Sequence, residues 1–142
     1  MDNFDAAGRL REEDREAFEI LARTWVTFSY RSGGSALTTR RPMISLDDQG
    51  QVIGIYFNNR SLAPLNLPEG QVSAFYQAYR RFASILFDPD SALTFKLGPG
   101  ELFAVDNQRV LHGRTAFFAV GKRHFQGCYV DMDGLRSRLS VL

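Results

Sequence analysis

The chain has 142 residues, 44% of them hydrophobic and 13% aromatic, which is enough for one domain with a core of its own and too apolar for a disordered tail. Seventeen Lys and Arg against sixteen Asp and Glu leave a formal net charge of +1, so there is no bulk electrostatic case for nucleic acid or membrane binding. A single cysteine, Cys128, excludes an internal disulfide and a Cys-rich zinc site; with a polar, acidic N-terminal stretch and no long apolar run, a cytoplasmic protein is the expectation.

In chain order, residues 11–25 predict a helix, with Phe18, Leu21, Ala22 and Trp25 at helical spacing and Glu12, Glu13 and Asp14 at its N-terminal end. Residues 24–30, TWVTFSY, are aromatic and β-branched and read as a strand that stops this helix early. Residues 31–41, RSGGSALTTRR, read as loop, with Gly33 and Gly34 as a turn. Residues 42–46 and 51–57 flank Asp47-Asp48-Gln49-Gly50, a hairpin signal that puts Gly where a positive φ is needed. In the second of these strands alternation places Ile53, Ile55 and Phe57 on a core face, and Tyr56 and Asn58 on the other. That second face can line a cavity; equally, Asn58-Asn59 reads as a plain turn leaving the strand.

Residues 69–87 predict an amphipathic helix with the stripe Val72, Phe75, Tyr76, Tyr79, Phe82, Ala83 and Leu86, ended by Asp88-Pro89-Asp90. Residues 93–97, the turn Gly98-Pro99-Gly100 and residues 101–105 read as a second hairpin. Residues 123–130 read as a strand, and Asp131 as the cap of a short helix over 134–142. Two or three helices beside mostly antiparallel strands predict an α+β or mostly β fold in a single unit.

The reactive residues gather in 103–129, which holds both histidines, His112 and His124, and Cys128. Taken alone, His112 between Leu111 and Gly113 is as readily a structural histidine as a metal ligand. On a regular strand Arg123 and Tyr129 share a face and His124 takes the other. An arginine there can grip a carboxylate with two parallel hydrogen bonds, or it can be an ordinary surface ion-pair residue; a tyrosine face can hold a cation.

Several stretches resemble, in order, one known family. DNQRVLHGR (106–114), GKRH (121–124), GCYVD (127–131) and DGLRSRL (133–139) are similar to the C-terminal part of γ-butyrobetaine dioxygenases, relatives of trimethyllysine and taurine dioxygenases. LDDQGQVIGIYFNN (46–59), FYQAYRRF (75–82) and LTFKLGPGE (93–101) extend the likeness over nearly the whole chain. The resemblance implies an iron(II)- and 2-oxoglutarate-dependent dioxygenase on a double-stranded β-helix, or jelly roll, that hydroxylates a trimethylammonium substrate in carnitine biosynthesis. It implies further that His112 is an iron ligand, that Arg123 pairs with the far carboxylate of 2-oxoglutarate, and that Tyr129 and Asn58 bind substrate.

The family's other two iron ligands form a His-x-Asp pair, and neither His112 nor His124 is followed by Asp two positions on. Gln108 also stands where the family usually has tryptophan. One imidazole cannot make a two-histidine, one-carboxylate site. The expectation is therefore a C-terminal portion, or fragment, of the catalytic domain, inactive by itself and prone to self-association or homodimer formation through unpaired strand edges. A trimethyllysine dioxygenase-like relative is the alternative within the class, and a non-catalytic binding or assembly module the alternative outside it.

Overall fold

The computed structural model describes residues 2–116, 118, 121 and 124–142. Its longest helix, α3 (Glu69–Leu86), is the one with the clearest apolar stripe. Phe75, Ala78, Phe82, Ile85 and Leu86 are buried on it, and Pro68 and Phe87 bound it. Tyr76 is instead exposed at the edge of the stripe, and Phe87 falls outside the helix as its C-cap.

Two helices pack against α3. The expected helix over 11–25 is α2 (Arg15–Arg23), and a helix not anticipated, α1 (Asn3–Glu13), precedes it. Asp14 separates them with a non-helical backbone, φ −151° and ψ 80°; its side chain accepts from the Ala17 N–H at 3.0 Å while its own N–H closes α1 on the Leu10 carbonyl. The carboxylates at 12–14 thus end one helix and begin the next. Thr24 leaves α2 in an extended conformation, which carries Trp25 off the helical stripe and into solvent.

The expected strand over 24–30 is β1 (Val26–Ser32), and residues predicted as loop form its partner, β2 (Ser35–Arg41). The two pair antiparallel from Val26↔Arg41 to Ser32↔Ser35. Gly33 and Gly34 have φ of 56° and 83°, the two positive values that a two-residue hairpin turn matched to strand twist requires. Only the Val26 end of this hairpin is buried, so β2 shows no alternation of burial.

The second hairpin forms where expected, from β3 (Ile44–Leu46) and β4 (Val52–Ile55), with Gly50 at φ 77°. Asp47 fastens its turn by accepting from the Gln49 and Gln51 N–H groups at 2.9 and 2.8 Å. One expectation fails here: Ser45 pairs with Gly54 but Leu46 pairs with Val52, so Ile53 is the extra residue of a bulge and is exposed rather than on the core face. Ile55 keeps its core position and Phe57 packs against the core.

These elements enclose one core. Ala6, Ala7 and Leu10 of α1, Phe18 and Leu21 of α2, Val26, Phe28, Met43, Ile44 and Ile55 from the hairpins, and the α3 stripe all belong to it. Every fully buried apolar residue described lies between positions 6 and 86; outside that span, Phe4 and Leu111 are the described apolar residues packed against it. Outside the core, Arg9 joins Glu13 at 2.6 Å and Asp88 at 3.0 Å, and Arg81 also reaches Glu13, tying α1 to the C-terminal end of α3. All of these groups are solvated, so the network orients the helices more than it stabilises them.

After a short 3-10 helix at Pro89–Ser91 the described residues contain no further strand. The expected hairpin over 93–105 forms its turn, with Gly100 at φ 81° and Glu101 bonded to Gly98, and Phe95 meets Phe103 edge to face at 5.7 Å, but no ladder joins the two arms. Leu93 and Leu102 are both 83% exposed. With no layer beneath it, a two-stranded hairpin is marginal in water, which accounts for the missing ladder. The strand expected over 123–130 is likewise absent from 124–130, and Arg123 lies outside the described residues. The final helix, α4 (Met132–Leu139), is capped by Asp131 as expected, through the Asp133 N–H at 3.0 Å. The architecture is α+β, with two separate two-stranded antiparallel sheets and four α-helices among the described residues. No described helix is long and apolar enough to cross a membrane.

Candidate functional site

The segment that presents His112 begins as a turn. Asp106 accepts from the Gln108 N–H at 2.9 Å through its side chain, and its carbonyl accepts from Arg109 and Val110 at 3.1 and 2.9 Å. The turn is pinned to β4, since Ile55 N–H donates to the Gln108 carbonyl at 3.1 Å.

The N-terminal residues hold the turn from its other side. Asn3 N–H donates to the Arg109 carbonyl at 2.9 Å, and the Leu111 N–H donates to Asn3 Oδ1 at 3.3 Å. Asp2 forms a bridge with Val110, and its Oδ2 receives both Nε and Nη2 of Arg109, at 2.9 and 2.7 Å. The same guanidinium lies 5.4 Å from the centre of the Phe4 ring. Burial tends to raise the Asp2 carboxyl, but hydrogen bonds from Arg109 and the Phe4 N–H, with the Arg109 charge, outweigh it and hold the group below its ordinary value of 3.8. The paired Arg109 is correspondingly raised, chiefly by its hydrogen bond to Asp2.

A group depressed in the folded state contributes stability that is present above its unfolded value and lost as pH falls through its folded one. Asp2→Asn is therefore expected to lower the melting temperature at pH 6, and the gap from the unsubstituted chain should close as both are acidified to 3.8 and below. Melting curves of the two proteins across that range check it.

Beyond Leu111, the described residues up to Asp131 are exposed. His112 and His124 are exposed, as is Cys128, and Tyr129 is 88% exposed. Asn58 is exposed just beyond β4, where its Oδ1 accepts from the Arg60 N–H at 2.9 Å, the plain turn geometry that its sequence allowed. Beside it, Asn59 Oδ1 accepts from the Tyr79 hydroxyl, whose ring stacks on Phe57 at 4.7 Å; burial pushes the Tyr79 phenol up. The bond between Ile55 and Gln108 brings the strand leading to Asn58 beside the turn leading to His112. Tyr129 is on a separate exposed stretch, and Arg123 falls outside the described residues.

The fit to iron can be tested on the donors present. Among the described residues no group of three or more His, Cys, Asp or Glu side chains is placed to hold a metal ion, and the chain has only two histidines. The described residues therefore do not make an iron site by themselves. Two grooves lie elsewhere: one of about 230 Å³ between the β1–β2 hairpin and Ser61, and one of about 380 Å³ between α2 and the start of α3. Neither is lined by His112, Asn58 or Tyr129.

The N-terminal contacts are what the sequence reading missed. A signal was present: Asp2 three residues before Asp5, with Ala6, Ala7 and Leu10 on one helical face, is a capped amphipathic start. Nothing local, however, announces that Asp2 and Asn3 meet residues 109–111.

The family described as taurine catabolism dioxygenase TauD, TfdA family matches residues 1–129. The gamma-butyrobetaine dioxygenase of Pseudomonas sp. (strain AK-1) is 41% identical over 143 residues, covering 100% of this chain and 37% of that protein. That of Homo sapiens is 34% identical over 148 residues, covering 100% of this chain and 38% of that protein. A trimethyllysine dioxygenase of Meyerozyma guilliermondii is 32% identical over 148 residues, covering 100% of this chain and 36% of that protein. The chain thus spans little more than a third of the length of these relatives, and the match to the gamma-butyrobetaine dioxygenases falls in their C-terminal part. With its family pattern matched over nine-tenths of its length, from a position before α1 to Tyr129, this chain belongs to the TauD/TfdA family of dioxygenases.

Proposed function

We propose that this chain is the C-terminal portion of the catalytic domain of an iron(II)- and 2-oxoglutarate-dependent dioxygenase that hydroxylates a trimethylammonium substrate such as γ-butyrobetaine. The observation that carries this reading is the family match over residues 1–129 together with 34–41% identity to two gamma-butyrobetaine dioxygenases along the full chain. In this reading the chain forms part of a double-stranded β-helix. His112 is one of three iron ligands, and the other two come from polypeptide outside these 142 residues.

The remaining roles follow from side-chain chemistry. The planar guanidinium of Arg123 suits the far carboxylate of 2-oxoglutarate, which it can bind with two parallel bonds. The Tyr129 ring suits one wall of a cage around the trimethylammonium group. Asn58 supplies an amide to the substrate's carboxylate end. The exposure of His112, Asn58 and Tyr129 supports a site whose opposing wall is supplied by another stretch of polypeptide.

The test uses the chain as it stands, given iron(II), 2-oxoglutarate and γ-butyrobetaine. No hydroxylated product and only weak iron binding are expected. Succinate release that required both iron and His112 would overturn the reading. Calorimetry with 2-oxoglutarate in the absence of iron addresses a non-catalytic binding module, for which clear binding would be seen.

A second substrate reading has its own support in the 32% identity to a trimethyllysine dioxygenase. Once activity is restored by the missing ligands, product analysis with both substrates separates the two.

A further inference from the structure

Strand β1 is paired along both of its edges, and β2 along only one. On the side of β1 away from β2, the Ser29 N–H donates to the Ser61 carbonyl at 2.7 Å, the Thr27 carbonyl accepts from the Ala63 N–H at 2.9 Å, and Phe28 bridges Leu62. Residues directly opposite in an antiparallel ladder turn their backbone groups either both inward or both outward. Thr38 and Arg40 lie opposite Ser29 and Thr27, so their N–H and carbonyl groups point away from β1, and those of Ala36 point with them. No other described strand pairs with β2, and no bulge or proline interrupts its seven residues. The outer edge of β2 is therefore an open row of backbone donors and acceptors.

The pleat sorts the side chains along that edge into two faces. Leu37 and Thr39 share a face with Phe28 and Tyr30, and these four line the groove of about 230 Å³. Tyr30 and Leu37 are 60% and 65% exposed there. The other face carries Arg40 and, opposite the small Ala36, Arg31. Residues 26–41 include three arginines and no carboxylate. Arg41 lies over the Tyr56 ring at 4.3 Å, whereas Arg31 and Arg40 are exposed and enter no ion pair among the described residues.

We propose that the outer edge of β2 docks an extended segment of a partner protein in which apolar residues alternate with Asp or Glu. Its backbone pairs with Ala36, Thr38 and Arg40, adding a third strand to the hairpin. Partner residues opposite Leu37 and Thr39 fall on the groove face, where apolar side chains cover Leu37. Partner residues opposite Ala36 and Arg40 fall on the basic face. A carboxylate opposite Arg40 is its direct neighbour, and one opposite Ala36 reaches Arg31 across a single methyl group. A second copy of β2 fits less well, because it brings more arginine and no carboxylate to the same edge.

The experiment uses the full chain, isotope-labelled for NMR. The probe is the end-blocked peptide Thr-Glu-Val-Thr-Val-Glu-Thr, which sets Glu opposite Ala36 and Arg40 in either strand direction; the same peptide with Lys for Glu is the control. At saturating Glu peptide, amide exchange at Ala36, Thr38 and Arg40 is expected to slow about tenfold, the factor for one ordinary hydrogen bond, with Phe82 in the core unchanged. Thr38→Pro removes an outward N–H that β1 does not use and should abolish binding while the hairpin stays formed. Arg40→Glu should weaken the Glu peptide about fivefold, the scale of an exposed ion pair, and turn the preference towards the Lys peptide.

If Thr38→Pro does not fold, Arg40→Glu decides. Unchanged exchange at the three amides would overturn the docking site. Equal binding of the Glu and Lys peptides would overturn the acidic partner. Protection of the three amides before any peptide is added, lost on dilution, would assign the edge to a second copy of the chain and overturn the proposal as well.

Discussion

Phe82→Ala is expected to cost about 3–5 kcal/mol, the range for deleting a buried aromatic ring from a core that collapses only partly around the gap. Phe82 has no exposed surface, sits in the middle of the α3 stripe and meets Phe57 edge to face at 6.0 Å, so its ring joins α3 to the segment that follows β4. A domain of this size has about 5–15 kcal/mol of stability in total, so the variant should be partly unfolded under conditions where the parent is folded. Leu93→Ala, at a residue 83% exposed, should stay within about 0.5 kcal/mol of the parent. Chemical denaturation of the three proteins measures both. Equal midpoints for Phe82→Ala and Leu93→Ala would mean that the core between positions 6 and 86 does not carry the fold.

The second large effect is on activity. Adding or fusing a polypeptide that supplies the His-x-Asp pair is expected to turn a chain with no iron-dependent succinate release into one that releases it. His112→Ala in that assembly should return the rate to background. A loss of at least about a hundredfold is the scale expected, since removing even a partner of a metal-bound histidine commonly costs ten- to a hundredfold. His124→Ala should have little effect. Succinate release that survived His112→Ala but not His124→Ala would assign the ligand to the wrong histidine, and the proposed roles of Arg123 and Tyr129 would then have to be reconsidered with it.

The two predictions concern different halves of the chain, and the division is physical. The fully buried apolar side chains, between positions 6 and 86, form one core. Beyond them, Phe95, Leu102, Phe103, Phe125, Tyr129 and Val130 all present apolar surface to solvent. Local strand propensity makes no ladder without a partner strand and a layer to cover. Such exposed apolar surface also promotes self-association, which light scattering at increasing concentration would register.

The sequence by itself determined the features whose causes are local. The stripe of α3 follows from side chains three and four apart, and the β3–β4 turn from Asp47 and Gly50 within five residues. The caps at Asp14 and Asp131 each require only a carboxylate beside a free N–H. The order of motifs from 46 to 139 likewise pointed to the family that the comparison establishes.

What only the tertiary structure decided depends on distant partners. Residues 35–41 look like a loop because Gly33, Gly34 and the arginines look like one, and become β2 because β1 is there to pair with. Ile53 fits the core face by alternation and is turned out by a register shift that its partner strand imposes. Residues 93–105 carry every local mark of a hairpin and make no ladder, because a strand pair needs a layer beneath it. Asp2 and Asn3 read as a polar start to the chain, yet in the fold they hold the backbone leading to His112. That contact joins residues 108 positions apart, and a hydrogen bond at such a distance leaves no periodicity and no spacing in the sequence, because folding alone sets which two segments meet.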